Sequence, residues 1–249
     1  ERLNTLLEWV RAARSEAFDA RVSVDTGPVQ ERAYAQRAGI GWIGRNTCVI
    51  NPDLGSWMLL GELITSLPLE SDAPALDQCG TCMLCLEACP THAIVEPHVL
   101  DARLCLSYLT IEIKGSIPVE QRAGMGAHVF GCDICQDVCP WNRMAPPSAQ
   151  HAFQPRQRLL APELAWLLGI GEEEFRGLFR ASPVKRTKWR GLLRNACIAA
   201  GNALAKAAPP EIARLRVRLT QLAQSDDAVI AEHARWALAH PLGAQVVPP

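Results

Sequence analysis

Two groups of closely spaced cysteines carry the most evident chemistry in this sequence, because thiolate sulfur is the preferred ligand of iron–sulfur clusters and of zinc. The first group is Cys79-Gly-Thr-Cys82-Met-Leu-Cys85-Leu-Glu-Ala-Cys89-Pro90, and the second is Cys132-Asp-Ile-Cys135-Gln-Asp-Val-Cys139-Pro140. A shift of 50 residues superposes the last three cysteines and the proline of the first group on the second. The two groups are therefore an internal repeat, in which Val129 stands where the second copy lacks its first cysteine.

The spacing C-x2-C-x2-C-x3-C-P is typical of bacterial ferredoxins that hold two four-iron clusters. Such a pair of clusters needs eight thiolates, because three from each motif bind one cluster and the fourth reaches the other. The repeat supplies seven, and the remaining cysteines are Cys48, Cys105 and Cys197, of which only Cys105 lies inside the cysteine-rich block. The predicted ligands are Cys79, Cys82, Cys85 and Cys139 for one cluster, and Cys89, Cys105, Cys132 and Cys135 for the other.

Two other uses of these cysteines are less well supported. Structural zinc sites use separated pairs of cysteines rather than three cysteines at successive intervals of three. A disulfide framework is typical of small secreted chains, whereas this chain has 249 residues and no signal-peptide pattern after Glu1. Cys48 and Cys197 lie in apolar contexts and are interpreted as ordinary buried residues. The cysteines thus predict electron transfer but not the reaction that uses the electrons.

The elements that must position these cysteines predict an α+β fold of three domains. Residues 1–70 alternate helical patterns with apolar strands, including residues 48–51 and 57–64, and predict part of an α/β domain. Residues 71–147 form the two-cluster domain. Residues 148–249 are rich in Ala, Leu and Arg, as packed helices are. An offset of 38 residues superposes segments 192–200 and 230–238, which indicates HEAT-like helical repeats or, alternatively, a generic bundle.

Composition and charge limit the class of protein further. The chain is 49% hydrophobic, yet it has no apolar run long enough to span a bilayer, so we expect a cytoplasmic protein. Residues 1–150 contain 11 basic and 18 acidic side chains, whereas residues 151–249 contain 14 and 8. The basic half is a candidate for binding a polyanion, with a solvated basic surface as the alternative. Because the chain starts without Met, we also expect upstream sequence.

Five linked motifs, in order along the chain, resemble those of epoxyqueuosine reductases. They are Val24-Asp25-Thr-Gly-Pro-Val-Gln-Glu-Arg-Ala-Tyr-Ala, Gly39-Ile-Gly-Trp-Ile-Gly-Arg-Asn-Thr-Cys, Cys79-Gly-Thr-Cys-Met-Leu-Cys, Cys105-Leu-Ser-Tyr-Leu-Thr-Ile-Glu and Phe130-Gly-Cys-Asp-Ile-Cys-Gln-Asp-Val-Cys-Pro-Trp-Asn. The resemblance implies an enzyme that reduces the epoxide of epoxyqueuosine, at the wobble position of tRNA, to queuosine. It also implies cobalamin and two four-iron clusters as cofactors. The family's cobalamin domain includes an N-terminal portion that this chain does not contain.

The same resemblance implies roles for individual residues. Asp25 occupies the position of the proton donor, although an Asp before Thr-Gly-Pro is also a common turn residue. The implied cobalamin contacts are Asp25, Arg45, Asn46, Thr47, Val49, Leu60, Ser107 and Asp133. The cluster of Cys132 and Cys135 is then the one nearest cobalamin, and an external donor such as flavodoxin or ferredoxin reduces the other.

A basic segment in the C-terminal half predicts where tRNA binds. Residues 176–194 hold seven positive charges and no acid, a density that suits phosphate contacts. The predicted tRNA contacts are Lys114, Lys185, Arg186, Lys188 and Arg190. Two other functions remain open: a ferredoxin-like electron carrier, and a corrinoid enzyme related to reductive dehalogenases. We expect a monomer that does not associate with membranes.

Overall fold

Short strands and helices alternate in the first hundred residues, and helices dominate the rest of the chain. A computed structural model describes residues 1–240; residues 241–249, at the end of the predicted third domain, lie outside the described residues. The helices are α1 (Arg2–Ala13), α2 (Glu31–Arg37), α3 (Leu84–Glu87), α4 (Leu106–Ile111), α5 (Val119–Arg122), α6 (Ile134–Asp137), α7 (Leu164–Leu167), α8 (Glu172–Leu178), α9 (Lys188–Ala203), α10 (Pro209–Leu222) and α11 (Ala228–Ala239). The strands are β1 (Ala20–Ser23), β2 (Trp42–Ile43), β3 (Val49–Ile50), β4 (Glu62–Thr65), β5 (Ile94–Glu96) and β6 (Val99–Leu100). This mixture of helices and strands agrees with the predicted α+β class.

The chain divides into two compact units that interleave in sequence. Unit 1 consists of Glu1–Ala88, Ile94–Leu100 and Ile134–Pro147. Unit 2 consists of Cys89–Ala93, Asp101–Asp133 and Ser148–Pro249. The cysteine-rich block is therefore shared between the units, and the three predicted domains stay a prediction.

Unit 1 contains three two-stranded antiparallel sheets. Strand β1 pairs with β4, β2 with β3, and β5 with β6. Within the described residues no strands pair in parallel, so the α/β character predicted for residues 1–70 stays a prediction. The buried strand predicted for residues 57–64 is wrong, because the strand begins only at Glu62 and Leu59 is 84% exposed. Apolar composition alone does not distinguish a buried strand from an exposed apolar segment.

The core of unit 1 lies directly against two of the predicted ligands. Trp42 and Ile50, on paired strands, are buried with Cys139, and the side chains of Cys79 and Trp141 pack on them. The rings of Trp42 and Trp141 meet edge to face, with centroids 4.9 Å apart. These aromatic rings give the cysteines an apolar, rigid support.

Unit 2 is built around α9, which is buried along most of its length. The apolar and small residues of this helix pack against α7 and α11, and residues of α10 belong to the same core. A Cβ atom at Gly201 of α9 would lie 2.9 Å from the Cα of Ala237 on α11, so glycine permits the close approach of these helices. The segments that superpose at an offset of 38 residues thus lie on two packed helices, and their HEAT-like nature stays a prediction. In residues 1–240, no helix is both long and apolar enough to cross a membrane.

A buried histidine on α11 is held in one neutral form. The Nδ1–H of His233 donates to the carbonyl of Val229 at 2.7 Å, and its Nε2 accepts the N–H of Ile117 at 3.2 Å. Burial lowers the pKa of His233 to about 4, with the cationic Arg122 and Arg194 acting in the same direction and Glu232 against it. A proton on Nε2 would face the Ile117 N–H and break that bond.

This histidine predicts a pH dependence of stability. Its pKa falls from 6.5 to about 4 on folding, so the unfolded chain binds more protons between these values. Stability should therefore decrease as pH falls through this window, by up to about 1.4 kcal/mol per pH unit. We expect His233→Gln to reduce the difference in melting temperature between pH 7 and pH 5, measured anaerobically by circular dichroism. The exposed His151→Gln variant should keep the wild-type difference, and an unchanged difference in His233→Gln would contradict the assignment.

Candidate functional site

Four cysteines of unit 1 line one cavity. They are Cys79, Cys82, Cys85 and Cys139, the complete ligand set predicted for one cluster, and they come from both copies of the repeat. The other lining residues are Arg45, Asn46, Ile50, Leu84, Pro140 and Trp141. Soft sulfur ligands in an enclosed and largely apolar site are what an iron–sulfur cluster requires.

Local backbone structure explains how the spacing brings these thiols together. The Asp77 carboxylate accepts the N–H of Cys79 at 2.8 Å, and the Cys82 N–H bonds back to the Cys79 carbonyl at 3.2 Å. Gly80 lies between them with a φ of 57°, a left-handed conformation that glycine adopts without strain. Cys139 caps the short 3-10 helix Pro140–Asn142, whose first residue is the proline of the motif.

The pKa values of two thiols reflect their burial and their proximity to other sulfurs. Burial, together with the neighbouring Cys135 and Cys82, raises the pKa of Cys85 to about 11. Burial also raises the pKa of Cys139, with Cys79 and Cys82 acting in the same direction. In residues 1–240 no three His, Cys, Asp or Glu side chains converge as the ligands of a single metal ion do. A four-iron cluster instead binds each thiolate through a different iron atom.

The side chains of Trp42 and Arg45 lie against the first motif, although the sequence did not indicate them as cluster contacts. The indole N–H of Trp42 donates to Cys79 Sγ at 3.4 Å, across 37 residues of sequence. The guanidinium of Arg45 donates to the Gly80 carbonyl and contacts Met83 Sδ. Hydrogen bonds to ligand sulfur and nearby charges tune the potential of a cluster. Trp42 stands between Gly41 and Ile43, and neither its residue type nor its position in the sequence indicates a contact with Cys79.

Amide side chains fix the second motif within unit 1. Asn46, which is 4% exposed, donates to the Cys135 carbonyl at 3.2 Å and accepts the Cys48 N–H at 3.1 Å. Asn142 donates to the Gln136 carbonyl at 2.7 Å and accepts the Ser56 N–H at 2.6 Å. These contacts hold Cys135 and Gln136, the two middle residues of α6.

The second predicted ligand set is divided between the units and stays a prediction. Cys89, Cys105 and Cys132 belong to unit 2, whereas Cys135 belongs to unit 1. In unit 2, Cys89 Sγ accepts the Ala93 N–H at 3.2 Å, and Cys105 is the N-cap of α4. Of the two cysteines predicted not to be ligands, Cys197 is fully buried, as expected, and Cys48 is half-buried.

Asp25 lies at the centre of a tight turn that follows β1. The Thr26 N–H bonds to the Val24 carbonyl at 2.6 Å, and Asp25 has a φ of 51°. This positive-φ γ-turn is rare and strained, and such strain concentrates at functional sites. A Cβ atom at Gly27 would lie 2.1 Å from the Ser23 hydroxyl, so glycine is needed for this loop to close. The turn leaves Asp25 exposed, and its role as the proton donor stays a prediction.

The other predicted cobalamin contacts are divided between the units and remain predictions. Arg45, Asn46, Thr47, Val49 and Leu60 lie in unit 1, and Ser107 and Asp133 lie in unit 2. Among residues 1–240 the buried Nε of Arg45 and the Ser23 hydroxyl have no hydrogen-bond partner. Buried polar groups are normally paired, but oxygens of Glu31, Glu62 and Gln121 lack a partner in the same way, so these two groups do not by themselves identify a ligand.

The predicted tRNA contacts lie together in unit 2. Lys185, Arg186, Lys188 and Arg190 are exposed, and Lys114 Nζ donates to the Arg186 carbonyl at 2.9 Å. Arg186 pairs with Glu112 at 2.7 Å and Arg190 with Asp227 at 2.5 Å. Burial lowers the pKa of Lys114, and the nearby cations Lys188, Arg194 and Arg186 lower it further. Positive charges that disfavour the charged form of Lys114 would be balanced by a bound polyanion.

Arg194, which the sequence places at the end of the basic segment, is not part of this surface. Its side chain is fully buried and donates to the carbonyls of Leu109, Ile113 and Gly115 at 2.7–2.9 Å. Burial lowers its pKa to about 10. Counting charges along a segment overlooks burial, because a helix presents its residues on all sides.

Comparison with known proteins agrees with the cysteine chemistry. Residues 78–142 match the 4Fe-4S double cluster binding domain, which confirms the prediction of iron–sulfur clusters. The chain is 47% identical over 240 residues to epoxyqueuosine reductase from Pseudomonas aeruginosa, covering 96% of this chain and 64% of that protein. It is 46% identical over 198 residues to epoxyqueuosine reductase from Synechocystis, covering 79% and 68%. The chain belongs to the epoxyqueuosine reductase family.

Solved structures of epoxyqueuosine reductases share this fold. One, in complex with an epoxyqueuosine-modified stem loop of tRNA-Tyr, has a TM-score of 0.86 and 35% identity, and covers 95% of this chain and 60% of that chain. Another, from Bacillus subtilis, has a catalytic aspartate loop swung out of the active site; its TM-score is 0.84 at 35% identity, over 94% and 60%. The chain spans less than two thirds of the length of the Pseudomonas relative and of both structures.

Proposed function

We propose that this epoxyqueuosine reductase family member is an oxidoreductase that converts epoxyqueuosine to queuosine at the wobble position of tRNA. The observation that carries the proposal is the convergence of Cys79, Cys82, Cys85 and Cys139 on one cavity in a chain of this family. Turning an epoxide into an alkene consumes two electrons and two protons and releases one water molecule. An iron–sulfur protein with a positioned acid provides both.

The electrons pass through two four-iron clusters in this proposal. Cys79, Cys82, Cys85 and Cys139 hold one cluster, and Cys89, Cys105, Cys132 and Cys135 hold the other. Cobalamin, when bound, supplies the low-potential nucleophilic chemistry that opens the C–O bond. Arg45, Asn46, Thr47, Val49, Leu60, Ser107 and Asp133 are its proposed contacts, with the Nε of Arg45 a buried donor that has no acceptor among residues 1–240.

Asp25 supplies the proton for the departing oxygen. Its strained turn fixes the carboxyl in an exposed position, and a solved structure of this family has a catalytic aspartate loop that is swung out of the active site. The alternative is that Asp25 only shapes the turn. In that case, replacing it by asparagine leaves the rate of epoxyqueuosine reduction unchanged. The proposal therefore depends on the acid itself and is testable by that substitution.

The tRNA backbone binds the surface formed by Lys114, Lys185, Arg186, Lys188 and Arg190. Solvent-exposed cations in unit 2 support this assignment, as does the tRNA stem loop bound by a solved member of the family. We also propose a three-domain chain with a HEAT-like RNA-binding domain at residues 148–249. The enzyme is then a cytoplasmic monomer, and an external donor such as flavodoxin or ferredoxin reduces the cluster farther from cobalamin.

Neutralising three of these cations should weaken tRNA binding. The variant combines Lys185→Ala, Arg186→Ala and Lys188→Ala. In a plot of log affinity against log salt concentration, its slope should be less steep than that of the wild type by about 1 for each lost phosphate contact. Filter binding at several salt concentrations measures both quantities. A matched control removes the same charge from exposed positions elsewhere in unit 2, with Arg158, Arg214 and Arg235 replaced by Ala. Equal weakening by the control would assign the effect to net charge rather than to this surface.

The test of the function is turnover by protein reconstituted anaerobically with iron, sulfide and cobalamin. Incubation with a strong reductant and tRNA that carries epoxyqueuosine should produce queuosine, detected by mass spectrometry of the digested nucleosides. Absence of queuosine from a sample that contains both clusters and cobalamin would refute the proposal. A ferredoxin-like carrier, by contrast, would contain the clusters and bind no cobalamin.

A further inference from the structure

A buried asparagine on α9 connects two backbone segments of unit 2. Asn195 is fully buried, and its amide donates to the carbonyls of Thr110 and Val129, each at 2.8 Å. Its carbonyl oxygen accepts two N–H groups from the Arg194 guanidinium, at 3.0 and 2.9 Å. Both donors and the acceptor of this side chain are therefore used, as a buried amide requires.

The first segment that Asn195 holds is the helix that starts at Cys105. Thr110 lies near the end of α4, and Cys105 is the N-cap of that helix. Arg194 donates to the carbonyls of Leu109, Ile113 and Gly115, and so supplies partners to backbone carbonyls at and just beyond the C-terminal end of the helix. The Arg194–Asn195 pair thus fixes the position of α4 relative to α9.

The second segment contains Val129 and leads to Cys132. Two hydroxyl groups of α4 also hold this segment: Thr110 accepts the Gly131 N–H at 3.0 Å, and Ser107 accepts the Cys132 N–H at 3.1 Å. The Ser107 hydroxyl in turn donates to the Cys132 carbonyl at 3.2 Å. Asn195 adds a bond to the same segment from a different helix, because it lies on α9 whereas Ser107 and Thr110 lie on α4.

These contacts lie where the cysteine repeat is incomplete. Val129 occupies the position of the missing cysteine, and Cys105 is the proposed substitute from a different segment. A ligand that a short motif supplies is positioned by the motif itself, whereas a substitute ligand needs separate contacts that fix its distance from the others. The hydrogen bonds from Asn195 to both segments meet this need.

We infer that Asn195 is a positioning residue for the cluster that Cys105 and Cys132 bind, and acts by holding α4 and the Val129–Cys132 segment in register. The inference rests on the ligand assignment of the proposed function. Helix α9, which lies in the basic C-terminal region, then contributes to cluster assembly, and this role is separate from RNA binding. Asn195 itself does not contact the cluster and is not a catalytic residue.

The variant that tests this inference is Asn195→Asp, which keeps the size of the side chain and its acceptor for Arg194. It replaces two N–H donors by an oxygen that faces the carbonyls of Thr110 and Val129. The chain offers a matched control on the same helix, since Asn202 donates to the carbonyls of Arg122 and Gly126 at 2.9 and 3.0 Å. Asn202→Asp imposes the same chemical change on a segment that carries no proposed ligand.

Iron and sulfide content and the electron paramagnetic resonance spectrum of the reduced protein are the readouts. We expect Asn202→Asp to retain about eight iron atoms per chain, and Asn195→Asp to retain about four or to show a changed signal for one cluster. An unchanged spectrum with full iron content in Asn195→Asp would overturn the inference, as would equal losses in both variants.

A second variant, Ser107→Ala, serves if Asn195→Asp does not fold. It removes both bonds to the Cys132 backbone and should alter the same signal, and an unaltered signal would overturn the inference. Because no readout is turnover, a protein that makes no queuosine can still support the inference, and an active one can contradict it.

Discussion

Replacing Asp25 by asparagine should lower the rate of epoxyqueuosine reduction by about 10²–10⁴-fold, the usual contribution of a positioned general acid. Asparagine has nearly the same shape but carries no acidic proton. The measurement is single-turnover formation of queuosine by enzyme that is reduced before tRNA is added, so that electron supply does not limit the rate. Iron content and the absorption spectrum should stay at wild-type values.

The backbone of Asp25 makes asparagine the appropriate substitution. At a φ of 51° most side chains are strained, whereas Asp and Asn tolerate the left-handed region better than other non-glycine residues. Asp25→Ala would disturb the turn and remove the acid together. Asp25→Asn removes only the acid, so a loss of rate reports on proton transfer.

A second aspartate in unit 1 serves as the control. Asp19 is exposed and immediately precedes β1, the strand that Asp25 follows at its other end. Asp19→Asn changes the same charge and should leave the rate unchanged. Wild-type rates in Asp25→Asn would show that another group donates the proton, and equal losses in both variants would indicate an electrostatic effect on RNA binding.

The sequence predicted iron–sulfur clusters because the spacing of the repeated cysteines is local, whereas the assignment of individual ligands stays a prediction. A turn and a short helix place sulfurs three residues apart on one side, so the ligand pattern is visible in a dozen residues. The contacts that support these ligands are not local. Trp42 reaches Cys79 across 37 residues, and Asn195 reaches Thr110 across 85. Such pairs depend on how the chain packs, and no short pattern of residue types encodes them.

Charge and hydrophobicity were informative about segments but not about individual side chains. The basic segment forms a cationic surface, yet Arg194 within it is buried and holds backbone carbonyls. Leu59, in a segment predicted as a buried strand, is almost fully exposed. Arg194 was not among the predicted tRNA contacts, but both observations have one cause, because composition gives the average environment of a segment whereas burial depends on which side of an element each residue occupies.

Replacing Cys139 by serine should remove one cluster and abolish queuosine formation. Cys139 is 8% exposed and lines the cavity with Cys79, Cys82 and Cys85, although it belongs to the other copy of the repeat. A serine hydroxyl fits the same space, but it is a poor ligand for iron at neutral pH. We expect iron content to fall from about eight to about four atoms per chain, with one reduced cluster signal lost.

The identity of the lost cluster tests the exchange of ligands between the two motifs. If each motif instead bound its own cluster, Cys139→Ser would affect the same signal as Cys132→Ser and Cys135→Ser. Under the proposed assignment it affects the same signal as Cys79→Ser and a different one from Cys132→Ser. Cys48→Ser, at a half-buried cysteine of unit 1 that is not a proposed ligand, should keep both signals and full iron content. Loss of a cluster in Cys48→Ser would make Cys48 the eighth ligand in place of Cys105, because the repeat supplies only seven.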